Sequence, residues 1–320
     1  MRKVRWGILS TARINRRLIP ELHASERCQL IAVASRDLRQ AKDYAEIWNI
    51  PRPYGNYEAL LADKDIDVVY ISLPNDLHMT WTVRALHAGK HVLCEKPLCL
   101  SEDEFKKIAL ASEETGKSVM EAFMYMHHPQ TAHFKKLIDE GEIGEVVSLY
   151  SEFASTFNRQ SDNYRMSATK GGGALWDIGV YPVSFFRYLI SSPVLQVNAK
   201  ARIEGGIDKS FWGRIDFATD ITGQFYVSFE SIYSTRTSIM GTTGRLDISH
   251  PYNAISECKA SLTKEDEVRE IILPQASLYA GEVENMNDVV LRNETPRFTI
   301  DDSAKVLELI LVLRKDAGME

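Results

Sequence analysis

The sequence predicts an α/β protein, with a doubly wound parallel sheet over residues 1–122 and a second α/β domain over 123–320. Three observations predict it. Short apolar runs alternate with helical segments in the first part, which implies parallel strands covered on both faces. In the second part β-like runs follow one another directly. Within one of those runs Phe225, Val227 and Phe229 recur at period two, the mark of a sheet with one buried face.

The elements follow in order. "VRWGIL" (4–9) is the first strand, and "TARINRRLIPELHA" (11–24) has helical spacing despite Pro20. "QLIAVAS" (29–35) is a strand, and "DLRQAKDYAEIW" (37–48) is an amphipathic helix opened by an Asp cap. "YEALLAD" (57–63) is a short helix and "DVVYISL" (67–73) a strand. "HMTWTVRALHAG" (78–89) is a helix that stops at Gly89. "HVLC" (91–94) is a short buried strand that ends in the charged pair Glu95-Lys96 and Pro97. "SEDEFKKIALASEETG" (101–116) opens with Ser101 and Glu104 as a capping box, and "SVMEAFM" (118–124) is the next strand. Helices are then expected at 128–140 and near 174–190. The β-rich runs are "LQVNAKARI", "SFWGRIDFA", "TGQFYVSFES", "TRTSIMGT", "GRLDIS" and "VREIIL", and helices near 279–293 and 302–316 close the chain. An antiparallel or mixed open sheet with helices on one side fits this second part.

Composition narrows the function. The 320 residues are 44% hydrophobic and 26% charged, as in ordinary globular proteins. The net charge is −6 with no Lys/Arg block, which argues against nucleic acid as a partner. No apolar run approaches the roughly 20 residues that span a bilayer, and the start does not read as a signal peptide. Cys28, Cys94, Cys99 and Cys258 fall in no C-x-x-C pair and read as reduced thiols, which implies a cytoplasmic protein.

Ligands of a doubly wound sheet bind at the carboxyl ends of its strands. The first turn there should carry G-x-G-x-x-G, but Ser10, Ala12 and Asn15 occupy those positions. Ser10 and Ala12 are small enough for a pyrophosphate to approach the backbone, although an ordinary tight turn reads the same way. The second strand ends in Ser35-Arg36-Asp37. A hydroxyl followed by arginine suits the 2′-phosphate of NADP. Asp37 is the competing acid for NAD, but it also fits as a helix cap. Further on, "GGGALWDIGVYP" sets Asp177 and Tyr181 four residues apart, on one face of a helix.

"SLPNDLH", "AGKHVLCEKPLCLS", "EAFMYMHHP" and "GGGALWDIGVYP" come in this order and at familiar separations. In them the chain resembles the glucose–fructose oxidoreductase / inositol dehydrogenase (Gfo/Idh/MocA) family. It is most similar to the branch of dimeric dihydrodiol dehydrogenases and sugar 1-dehydrogenases. The resemblance implies a Rossmann domain followed by an α/β domain with an open, mostly antiparallel sheet. It implies an NADP-dependent oxidoreductase, with NAD possible, that moves a hydride to or from a sugar, polyol or cyclic diol or ketone. A catalytically silent NAD(P)-binding regulator of the same fold is the alternative.

The resemblance also assigns residues. Lys96, Tyr181 and Asp177 are the catalytic set. A tyrosine has a pKa of about 10, and a nearby ammonium favours its phenolate, so Lys96 makes Tyr181 a general acid/base. Asp177 would hold Lys96 or a substrate hydroxyl. Cofactor contacts fall on Ser10, Thr11, Ala12, Arg13, Ile14, Ser35, Arg36, Leu73, Pro74, Asn75, His78, Glu95, Lys96, Glu121 and Arg165. His78 reads equally as a plain residue of a helix start. Substrate contacts fall on Lys96, Met124, Trp176, Asp177 and Tyr181. Met126 stands where relatives in this branch carry arginine, which puts the substrate's polarity in question. No metal is expected, because nicotinamide chemistry needs none and His127, His128 and His133 share their spacing with no carboxylate. The uncovered face of the second sheet, around 222–229, predicts a homodimer or homotetramer.

Overall fold

The computed structural model describes residues 2–156, 163–253 and 258–319. In chain order the strands and helices of its first stretch are β1 (Val4–Leu9), α1 (Asn15–Ala24), β2 (Cys28–Ala34), α2 (Leu38–Trp48), β3 (Arg52–Tyr54), α3 (Tyr57–Ala62), β4 (Val68–Ile71), α4 (Asn75–His87), β5 (His91–Cys94), α5 (Glu102–Thr115) and β6 (Val119–Glu121). Then come α6 (Pro129–Asp139), β7 (Val146–Ala154), α7 (Val180–Leu189), β8 (Val194–Glu204), β9 (Ile207–Phe217), β10 (Thr222–Ser228), β11 (Ser234–Gly241), β12 (Arg245–Ser249), β13 (Ala260–Lys264), β14 (Glu267–Ile271), α8 (Ala280–Arg292) and α9 (Ile300–Asp316). No helix among the described residues is long and apolar enough to cross a membrane.

Two compact units form: Met1–His127 with Tyr279–Ala304, and His128–Leu278 with Lys305–Glu320. In the first, six parallel strands run in the order β3-β2-β1-β4-β5-β6. This is the doubly wound order, with its switch point between β1 and β4. Val68 to Ile71 and Val92 to Cys94 are fully buried, as strands covered on both faces must be. The helix expected from residue 11 starts at Asn15, which leaves 10–14 as a turn, and Pro20 lies on the exposed side of α1. The first unit also takes a segment that the linear division at residue 122 assigned to the second. Val283, Met286 and Val289 of α8 join the core of Trp6, Leu18 and Leu22. Trp6 Nε1 donates to Asn287 Oδ1 at 3.2 Å, and Arg27 pairs with Glu284 at 2.9 Å. Apolar burial and these two polar contacts fix the returning helix.

The second unit has an eight-stranded sheet in the order β14-β13-β12-β11-β7-β10-β9-β8. Only β7 and β10 pair in parallel; the other neighbours are antiparallel. Phe225, Val227, Phe211, Ile215 and Ile239 are buried on one face. Helix α7 packs there, and a Cβ at Gly223 would lie 2.7 Å from the Phe186 ring. Trp212 and Met240 stand exposed on the opposite face.

Candidate active site

The turn after β1 shows how a chain without the motif glycines builds this corner. Ser10 has φ +126°, a conformation that glycine usually supplies. Its hydroxyl lies 2.8 Å from Ser72 Oγ and accepts from the Ala12 N–H at 3.1 Å. Asn15, fully buried, donates to the Ser10 carbonyl at 2.9 Å and accepts from Ser72 Oγ at 2.6 Å. These side chains tie the ends of β1 and β4 together at the switch point. Helix α1 starts without a side-chain cap or an acidic residue in its first turn. A positive-φ turn beside an uncapped, acid-free helix start fits a pyrophosphate. Thr11, Ala12, Arg13 and Ile14 form this turn.

At the end of β2 the two candidate ribose readers part. Asp37 caps α2, accepting from the N–H groups of Arg39 at 2.7 Å and Gln40 at 3.4 Å. Ser35 is buried, and its hydroxyl donates to Gln40 Oε1 at 2.6 Å. Arg36 is exposed, with no ion pair among the described residues. The acid that would read the ribose diol of NAD is thus engaged in the backbone, while the arginine that would meet a 2′-phosphate projects from the sheet edge.

The loops after β4 and β5 are fixed by buried side chains. The Lys96–Pro97 peptide is cis. The two ring nitrogens of His78 lie 2.7 Å from the carbonyl oxygens of Pro97 and Leu73, and the ring is fully buried. His78 therefore joins the loop of Leu73 and Pro74, which leads into α4 at Asn75, to the loop carrying Lys96. Burial, chiefly, holds its pKa below the usual imidazole value. Glu121, at the end of β6, accepts from the Leu98 N–H at 2.9 Å, so Lys96-Pro97-Leu98 is held from both sides. Burial pushes the Glu121 carboxyl up to about 7, against the opposing pull of the Leu98 N–H and the Lys96 charge. Tyr70 donates its hydroxyl to Glu95. Glu282 of α8 is fully buried, its carboxyl forced well above the usual range by burial and then by the Glu95 charge. Sequence reasoning missed Glu282 because it lies far along the chain. Met124 is buried in the turn that follows β6.

In the second unit a π-turn, Leu175–Gly179, runs directly into α7. Such turns insert a residue and re-aim the side chains around them. Arg165 Nε donates to Asp177 Oδ2 at 2.8 Å. Burial alone would lower the Arg165 pKa, but the Asp177 charge raises it above its ordinary value. The glycines ahead have specific reasons. A Cβ at Gly172 would lie 2.5 Å from the Arg165 carbonyl oxygen. Gly173 has φ +117°, and a Cβ there would lie 2.0 Å from Asp208 Oδ1. Tyr181, 7% exposed, lies against Phe153 and Tyr252, each ring centroid 5.5 Å away. Its ring thus serves the helix–sheet contact. Trp176 is 4% exposed, with the Arg314 guanidinium 5.4 Å above its ring.

The fold thus gathers the expected cofactor residues of the first unit at the carboxyl edge of the parallel sheet. In the second unit it brings Arg165 to Asp177, on the helical segment that also carries Trp176 and Tyr181. His128 caps α6, where Nδ1 accepts from the Gln130 N–H at 3.3 Å, and His127 is buried.

The model of an oxidoreductase family with an NAD-binding Rossmann fold matches residues 4–123. That of the GFO/IDH/MocA C-terminal domain matches 131–247. D-xylose 1-dehydrogenase (NADP(+)) 2 of Haloferax volcanii is 36% identical over 318 residues, 98% of this chain and 97% of its own. The trans-1,2-dihydrobenzene-1,2-diol dehydrogenase of Xenopus laevis is 32% identical over 248 residues, 76% of this chain and 74% of its own. A 3-ketoreductase from Actinomadura kijaniata, solved in complex with NADP and TDP-benzene, has a TM-score of 0.93 at 32% identity and covers 98% of both chains.

Proposed function

The chain belongs to the Gfo/Idh/MocA family of oxidoreductases, and from that premise we propose that it is an NADP-dependent enzyme acting on a sugar, polyol or cyclic diol or ketone, with Lys96 and Tyr181 as its proton-relay pair. The observation that carries this reading is the way Lys96 is held. Two buried side chains, His78 and Glu121, fix its loop at Pro97 and Leu98. Buried polar groups are costly, and their concentration on one lysine-bearing loop fits a lysine placed for chemistry.

NADPH, when bound, supplies the hydride. Residues 10–14 would hold its pyrophosphate at the start of α1. Arg36 and Ser35 would hold the 2′-phosphate, and Pro74, Asn75 and Glu95 the nicotinamide side. In the reductive direction Tyr181 gives its hydroxyl proton to the substrate oxygen. Lys96 orients that oxygen and favours the phenolate left behind. Asp177 fixes Arg165 and the turn that leads to Tyr181. The enzyme works in the cytoplasm with its cysteines as thiols, and it assembles as a homodimer or homotetramer through the open sheet. An NADP(H)-coupled screen of aldoses, ketosugars and trans-dihydrodiols tests the reading. Turnover within one of these classes supports it. Tight NADPH binding without turnover of any would make the chain a silent sensor.

A further inference from the structure

Asp208 belongs to no recognisable motif, and sequence reasoning passes over it. It lies near the start of β9 and is fully buried. A buried carboxylate is costly unless the structure compensates it. Here Oδ2 accepts the Leu175 N–H at 2.6 Å, at the first residue of the π-turn. The helix that begins there has no side-chain cap from its own preceding residue, Ala174. A carboxylate at this end also meets the positive end of the helix dipole. Its other oxygen stands where a side chain on Gly173 would have to go.

We propose that Asp208 is a positioning residue: it caps the continuous helical run 175–189 from a neighbouring strand and fixes the register of its π-turn, and so sets where Tyr181 presents its hydroxyl. The proposal rests on the reading of Tyr181 given above. The physical reason is the irregularity of the turn. A π-turn competes with an α-helical winding of the same residues, which rotates the side chains. Asp177 must face Arg165, and Tyr181 must follow one turn later on the same run. An acceptor held rigidly on β9 at Leu175 N–H selects one winding. Gly173 completes the device, because only glycine tolerates both its φ and the carboxylate beside it.

The proposal includes a pH dependence. Burial raises the Asp208 carboxyl to about 6, opposed by the backbone of Leu175 and Ala174 and by Arg314 of α9, the charged side chain that acts on it. Below that pH the neutral acid keeps a carbonyl acceptor but loses its charge at the helix start.

Two variants and an independent structural readout test this. Asp208→Ala removes the acceptor. Amide exchange at Leu175 to Asp177 should speed up about fivefold to thirtyfold, the range of a lost cap. Its kcat should fall by about tenfold or more, while the KM for NADPH should stay within about twofold of wild type. Asp208→Asn keeps an acceptor and mimics the neutral acid. It should lose only about twofold to tenfold in kcat at pH 8, and should lack whatever share of the wild-type decline is centred near pH 6. Unchanged exchange at Leu175 in Asp208→Ala overturns the proposal. If Asp208→Ala does not fold, Asp208→Asn decides: an acid limb identical to wild type overturns it, and a missing one supports it. Should Tyr181→Phe keep its turnover, the tyrosine assignment fails, whereas the exchange result still judges the cap alone.

Discussion

Glu121 shows how one buried residue can both hold a site and carry a pH dependence. Its folded pKa is about 7, against the ordinary carboxyl value of 4.5, because burial disfavours the charged form. The folded state therefore keeps the proton that the unfolded state releases between those values. The stabilisation from this group is complete below about pH 4.5 and is lost as pH rises through about 7, a change of roughly 3 kcal/mol at most. Glu121→Gln keeps an acceptor for the Leu98 N–H and cannot ionise. Urea unfolding from pH 5 to 8 should show wild type losing stability relative to the variant as pH rises. Parallel curves would remove Glu121 from the pH response. Arg36 allows a second test at this scale. If it meets the 2′-phosphate, Arg36→Ala should weaken NADPH binding about tenfold to hundredfold and NADH binding little. Equal losses in calorimetric titration would assign the discrimination elsewhere. Lys96, Asp177 and Tyr181 could be singled out in the sequence because their motifs are local. The work of His78 was not, since its partners Leu73 and Pro97 meet only when two loops fold together. Asp208 was hidden for the same reason, because its partner Leu175 is on another element.

At the scale of elements, the glycine run before the π-turn shows most clearly how sequence dictates geometry. Gly173→Ala must place a Cβ 2.0 Å from Asp208 Oδ1 while holding φ at +117°. Gly116, the C-cap of α5, also has positive φ, but nothing lies within 4 Å of a Cβ built there. Gly116→Ala should therefore cost about 1 kcal/mol in chemical denaturation, and Gly173→Ala several times that. Similar costs at both positions would mean that the Asp208 contact yields easily. Period and capping made most elements legible, including α2 with Asp37 and α5 with Ser101. Strand β7 was missed although it lies in the middle of its sheet. The middle of its inward row, Leu149, Ser151 and Phe153, is a serine that bonds Tyr252 and Thr237, so its alternation is broken. Strand β13 buries only Ala260 and Leu262, too little apolar surface to stand out.

For the whole molecule, the uncovered face of the second sheet carries the assembly prediction. Trp212 and Tyr226 pair across β9 and β10 with ring centroids 5.2 Å apart, and Trp212 and Met240 are 42% and 41% exposed. Apolar side chains gathered on one open sheet face suit sheet-to-sheet packing with a second copy. Light scattering should give at least a dimer, and Trp212→Glu should lower the mass. A monomeric wild type at micromolar concentration would contradict this. The parallel sheet was legible from the alternation of strands and helices, whereas the return of α8 to the first unit was not. Its contacts with Trp6 and Arg27 span more than 250 positions, beyond the reach of any local pattern. The proposed relay is tested on the whole enzyme. Turnover of Tyr181→Phe with saturating NADPH, beside Lys96→Met and the double variant, is the most direct measurement. Tyr181→Phe should lose about two to four orders of magnitude in kcat with NADPH affinity nearly unchanged, and the double variant should be little worse than the poorer single one. Near-normal turnover of Tyr181→Phe, at a pH where chemistry limits the rate, would contradict the account.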